Sequence, residues 1–242
     1  MKQPYGGTLT GFSEIDKNFP DGLNMSNTVL IAHRPGNSFT WFCSHMALNA
    51  AKQFQKQKKK TIVLIFSLTF SGQVFYKTLK SMDPNWDKNI TVTEQAPLAS
   101  VDNLEEYIIF VEKQYKCKVG MVIVDSLKHI TDESNPFECD GRVLDDIKIM
   151  SLKRKIPVIV GHSLPREVEC SDEKIPEFKF LNPIRFGLEH ADIIFALYRP
   201  AFYKKRQYPP RKDWNEDMSL HVYCLKGWWK TFFWRIDCDD ET

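Results

Sequence analysis

Five short apolar runs recur along the chain: TVLIA (28–32), TIVLIF (61–66), VGMVIVD (119–125), PVIVGHS (157–163) and DIIFALY (192–198), each bounded by polar or turn-forming residues. They lack the apolar/polar alternation of a half-solvated strand, so both faces of each must be covered. Strands of that kind belong to a parallel sheet with helices on either side. The segments between them supply the helices, with apolar residues at helical spacing over 40–57, 71–82, 101–115 and roughly 139–154. The last ends in Lys153 and Arg154, cations suited to the carbonyl end of a helix dipole. After Tyr198 the pattern changes to two strands, 220–225 and 228–236, turning near Gly227. The expected fold is α/β, a doubly wound, mainly parallel sheet with helices on both faces and a C-terminal β-hairpin.

A chain of 242 residues can bury a full core as one domain, and no Pro/Gly/Ser-rich linker divides it. The net charge of +2 excludes a general attraction to nucleic acid or anionic membrane, so any basic function is local. The six cysteines show no Cys-x-x-Cys pair and no zinc-like spacing with histidine, and no metal site is expected. The N-terminus MKQPYGGTLT carries no signal-peptide core, and no apolar stretch approaches the roughly 20 residues that span a bilayer. A reduced, cytoplasmic protein without membrane insertion is expected.

In a sheet of this kind ligands gather beyond the carboxyl ends of the strands. That edge carries HRPGNSFT after the first run, SLTFS after the second, DSLKH after the third and HSLPRE after the fourth. The stretch RPGNSFTW (34–41) stands where a phosphate-binding loop would be expected. Such a loop needs glycines for an amide cradle, a lysine for the β/γ charge and a Ser/Thr hydroxyl for Mg²⁺.

The order of motifs resembles the ATPase domain of DnaB-type replicative helicases, a RecA-like P-loop family, over nearly the whole length. The matching pieces are TGFSEIDKNFPDGL (10–23), IAHRPGNSFT (31–40) leading into MALNAA, IFSLTFS (65–71), VIVDSLKHI (122–130), IPVIVGHSLPREVE (156–169) and LEHADIIFALYRPAFY (188–203). The resemblance implies a RecA-like core. It also places the loop's first small residue at His33, its pre-lysine glycine at Ser38 and its lysine at Phe39; the hydroxyl survives as Thr40. A lysine meeting a phosphate is worth on the order of 4 kcal/mol per close pair at an effective dielectric near 20, which Phe39 cannot supply. The family's catalytic glutamate falls on Thr69 and its phosphate-sensing glutamine on Ser163; the Walker B aspartate is kept as Asp125. The hairpin's lysine and arginine finger fall on Tyr223 and Leu225, with Lys226 one position out and so on the other face.

The implied reading is a catalytically degenerate RecA-fold domain acting as a binding or scaffold module in DNA replication or mobile-element biology. The alternative is a divergent ATPase or translocase using Thr40 and Asp125 with Mg²⁺. If nucleotide still binds, Gly36, Asn37, Ser38, Thr40 and Asp125 would hold it; otherwise no cofactor is expected. Asp125, ending a buried strand, more often bonds local backbone amides than a metal's water.

For nucleic acid the strongest segment is YKKRQYPPRKDW (203–214), where Lys204, Lys205, Arg206, Arg211 and Lys212 interleave with aromatics such as Tyr208. The lysines of KQFQKQKKK (52–60) read as a solvated helix end. The loop 164–183 carries more carboxylates than cations, which opposes a helicase-like DNA contact there. The chain begins at the core, without the family's N-terminal domain and linker helix, so a monomer or small oligomer is expected rather than a hexamer. Partners would be nucleic acid or a replication protein.

Overall fold

The apolar runs form the centre of one eight-stranded sheet in a computed structural model that describes residues 7–56, 60–69, 72–94, 100–130, 139–171, 174–204, 219–227 and 232–236. Its strands are β1 (Thr28–His33), β2 (Thr61–Phe66), β3 (Ile90–Thr93), β4 (Lys118–Val124), β5 (Val158–Ser163), β6 (Ile193–Tyr198), β7 (Leu220–Lys226) and β8 (Phe232–Ile236). The order is β3-β2-β4-β5-β1-β6-β7-β8. The first six are parallel, and β7 and β8 add an antiparallel edge.

The helices are α1 (Ser13–Asp16), α2 (Phe39–Phe54), α3 (Gln73–Met82), α4 (Val101–Gln114), α5 (Cys139–Arg154), α6 (Glu167–Cys170) and α7 (Pro200–Lys204). Successive residues of each strand feed opposite faces. Val29 and Ile31 join Phe42, Met46, Phe75 and Leu79 beneath α2 and α3. Leu30 and Ala32 join Leu104, Ile108, Leu144 and Ile147 beneath α4 and α5. Both faces of the sheet are therefore apolar, which is why the strands read as continuous runs. Helix α4 opens on a capping box in which the Ser100 hydroxyl accepts from the Asn103 amide and the Asn103 side chain reaches back.

Three parts depart from the sequence expectation. Strand β3 and the short helices α1, α6 and α7 are additions, since elements of four or five residues carry too little periodicity to register. Helix α2 begins at Phe39, one residue earlier than expected, and is described to Phe54. The second hairpin strand is described from Phe232, with 228–231 outside the described residues.

Candidate functional site

The loop between β1 and α2 turns through two left-handed residues, Gly36 (φ 85°) and Ser38 (φ 57°). A Cβ on Gly36 would run into the ring of Phe202 from α7, so glycine is required there by contact as well as by φ. The loop is tied on both sides. On one side the Asn37 side-chain oxygen accepts from the Arg199 amide at 2.7 Å, and its nitrogen donates to the Tyr203 hydroxyl at 3.2 Å. The Arg199 guanidinium donates to the Ser38 hydroxyl at 3.2 Å. On the other side Arg34 donates to Glu169 at 2.9 Å and to the Leu164 carbonyl at 2.8 Å, joining the loop to the segment after β5.

Phe39 opens α2 and is buried, 8% exposed. Its ring stacks on His33 with centroids 4.2 Å apart and planes 13° apart, and it closes over Gly161 of β5, where any Cβ would collide with it. Thr40 follows, half-buried. Asp125, just past β4, is turned toward the end of β2. It accepts from the Leu68 amide at 2.8 Å, the Thr69 amide at 3.0 Å, the Ser67 hydroxyl at 3.1 Å and the Thr69 hydroxyl at 3.2 Å. Burial pushes its carboxyl above the usual range, and these four hydrogen bonds pull it back.

Two buried histidines complete this edge. His33 keeps one ring nitrogen 3.4 Å from the Arg34 carbonyl, while its Nε2 has no hydrogen-bond partner. His162 has a partner on neither nitrogen. Loss of solvation lowers both to about 4, so both rings are neutral near pH 7. Among the described residues no group of three or more His, Cys, Asp or Glu is arranged to hold a metal, and no helix is long and apolar enough to cross a membrane.

No protein-family model matches the chain. Over 88% of its length it is 24% identical to the replicative DNA helicase DnaB of Rickettsia bellii, and over 82% it is 26% identical to that of Geobacillus stearothermophilus. The chain spans about half the length of these relatives, 51% and 48%. Among solved structures, a chain described as an ATPase domain aligns with a TM-score of 0.73 over 96% of this chain and 92% of that one, at 22% identity. A DnaB-like replicative helicase, described with its interactions with primase, aligns with a TM-score of 0.74 over 95% of this chain and 59% of that one, at 22% identity. The fold is that of a DnaB-type helicase ATPase domain.

Within this DnaB-type fold the expected residues do not form one cluster. Gly36, Asn37, Ser38, Phe39, Thr40, Thr69, Asp125 and Ser163 all lie at the carboxyl edge, with Ser163 exposed at the end of β5 beside His33. Tyr223 and Leu225 pack partly buried on the sheet face beneath α4 and α5. Lys226 departs from the expectation that it faces the other way. A register shift between β6 and β7 breaks the alternation, and its ammonium donates to the carbonyls of Leu188 at 2.8 Å and Glu189 at 3.1 Å. Lys204 ends α7, and Lys205, Arg206, Tyr208, Arg211 and Lys212 lie outside the described residues.

The residues that grip the loop are not expected from the sequence to do so: Arg199 and Phe202 of the LYRPAFY stretch have no expected role, Tyr203 falls in the nucleic-acid segment 203–214, and Glu169 is only one of the carboxylates of 164–183. The available signal was an aromatic and arginine cluster around Pro200 directly after the last parallel strand.

Proposed function

We propose that this chain is a DnaB-type RecA fold that no longer turns over nucleotide and works as a binding or scaffold module in DNA replication or the replication of mobile elements. The observation that carries the reading is Phe39. The position that should hold a phosphate-meeting lysine holds a buried ring stacked on His33 and sealed over Gly161. The neighbouring groups do not fit a Mg-nucleotide either. Asp125 uses Oδ1 on the Leu68 and Thr69 amides and the Thr69 hydroxyl and gives part of Oδ2 to the Ser67 hydroxyl, so little of the carboxylate is left for a metal-bound water. Thr69 has no carboxylate to orient an attacking water, and Leu225 offers no charge to a neighbouring site, where an arginine finger can be worth about 10³-fold or more in rate.

The same arrangement weighs against the divergent ATPase that would rely on Thr40 and Asp125. Without a trans-acting finger the chain has no catalytic need of a ring, and we take it to work as a monomer or small oligomer with nucleic acid or a replication protein. The test is thermal melting with and without Mg-ATP at about 1 mM, since a ligand stabilises only by RT ln(1 + [L]/Kd). No rise in melting temperature and no phosphate release are expected. Steady release that Asp125→Ala abolishes would overturn the reading.

A further inference from the structure

The edge of the sheet opposite the P-loop holds a cavity of about 670 Å³ at the amino ends of β2, β4 and β5. Five cations line it, Lys60, Lys116, Lys118, Lys153 and Arg154, against two carboxylates, Glu105 and Glu112. Both carboxylates are already engaged. Glu105 pairs with Lys153 at 3.0 Å and Arg154 at 3.7 Å; Glu112 pairs with Arg154 at 2.6 Å and accepts from the Val119 amide at 2.9 Å. Among the described residues Lys60, Lys116 and Lys118 take part in no ion pair, and all three are exposed. The buried Nε of Arg154 also lacks an acceptor.

A helix dipole accounts for Lys116, which follows the end of α4. It does not account for Lys60 and Lys118. These stand at the starts of two strands, side by side, with the Lys118 amide bonded to the Lys60 carbonyl at 2.8 Å. Lys116 also sits at φ 48°, a left-handed conformation in which glycine would be the unstrained choice. Next to it Tyr115 is 54% exposed, so the stretch KQYKCK (113–118) presents an aromatic face among cations. Cations meet phosphates and an exposed ring stacks a base, a combination suited to a single strand.

We propose that this edge is a binding site for the phosphodiester backbone of single-stranded nucleic acid, with Lys60, Lys116 and Lys118 on phosphates and Tyr115 stacking a base. It lies away from the P-loop and does not rest on whether nucleotide is hydrolysed. An acidic peptide would find the same charge but would gain nothing specific from Tyr115.

The experiment is fluorescence anisotropy with a labelled oligo(dT) of about 20 nucleotides across a salt series. Lys60→Ala/Lys116→Ala/Lys118→Ala should weaken binding at least about tenfold and reduce the log–log salt slope by about two, the value for three lost contacts to a single strand. Tyr115→Ala should weaken it about five- to tenfold with the slope unchanged. Melting temperatures should stay near that of the unaltered protein, because these side chains are exposed. The proposal is overturned if the unaltered protein shows no binding at low salt, or if the lysine triple variant binds as the unaltered protein does. It is also overturned if ATP or pyrophosphate competes as well as the oligonucleotide at equal phosphate concentration. Loss of binding in Lys204→Ala/Lys205→Ala/Arg206→Ala alone would place the site at 203–214 and overturn it equally.

Discussion

At the carboxyl edge of the sheet several polar side chains are engaged within the fold, Arg34 with Glu169, Asn37 with Arg199 and Tyr203, and Asp125 with Ser67, Leu68 and Thr69, while the unpartnered nitrogens of His33 and His162 lie buried. At the amino edge of the same strands Lys60, Lys116 and Lys118 stand exposed and outside any ion pair among the described residues. In a RecA-like sheet the carboxyl edge is the one that should offer open polar groups to a ligand. Here the unpartnered ring nitrogens of His33 and His162 at that edge are buried, and the exposed lysines stand at the other edge. A loop can keep the course of a phosphate-binding loop when side chains hold it in place, and chemistry depends on groups that are left over after the fold has been satisfied. The contrast predicts that substitutions at the carboxyl edge act on stability and those at the amino edge act on binding.

The largest expected effect is acid sensitivity of the carboxyl edge. His33 and His162 are held near 4 against an ordinary value of 6.5, so between those pH values the unfolded chain binds protons that the folded one refuses. Their contribution is complete above about pH 6.5 and is lost as pH falls toward 4. A shift of that size corresponds to about 3 kcal/mol from each ring, most of it lost by pH 4.5. Asp125 works in the opposite direction, because a carboxyl raised by burial gains stability as it protonates. Urea unfolding at pH 7 and pH 4.5 should show a loss of several kcal/mol, and His162→Leu should remove about half of it. Equal stability at the two pH values would mean that the imidazoles are not buried as described, and the contrast between the edges would weaken.

How much of this was legible in the sequence follows the same division. Strands β1, β2, β4, β5 and β6 were readable because each is covered on both faces and therefore apolar throughout. Strand β3, only four residues long at the sheet's edge, leaves no such trace. The positions of Phe39, Thr69, Asp125 and Ser163 at one edge could be read from motif order, since strand ends in a parallel sheet converge. The bonding of Asp125 to neighbouring amides also follows from its place after a buried strand. The lock on the loop could not be read, because Asn37 and Tyr203 are 166 residues apart and neither side chain announces the other. Nor could the turn of Lys226, which depends on a register shift that strand alternation does not contain.

The next effect in size concerns Phe39. A ring over an open nucleotide loop would lose little on truncation, whereas a buried one leaves a cavity. Phe39→Ala is expected to cost about 3 kcal/mol or more and to lower the melting temperature by roughly 10 °C for a domain of this size. Phe39→Lys should also be destabilising, because it removes the same buried ring and brings an ammonium into the site beside His33 and Gly161. A melting temperature unchanged by Phe39→Ala would show the ring to be solvent-facing and would reopen the loop as a nucleotide site.

The smallest effect lies at the amino edge and has the opposite sign. Lys116 sits at φ 48° after the end of α4, and Lys155 at φ 56° after the end of α5. Glycine relieves the left-handed strain by about 1 kcal/mol. Removing a cation from a helix C-terminus takes back about 0.3–1 kcal/mol. The net change for Lys116→Gly or Lys155→Gly is therefore expected between zero and a gain of a few tenths of a kcal/mol, measured by urea unfolding at pH 7. A loss of more than about 1 kcal/mol would mean that the lysine side chains help to hold the helix ends, and the amino edge would then resemble the carboxyl edge. A neutral or stabilising result, with oligonucleotide binding weakened by Lys116→Gly and unchanged by Lys155→Gly, would separate stability from binding at this edge. Lys155 serves as the comparison because it shares the backbone conformation of Lys116 but is not among the residues that line the cavity.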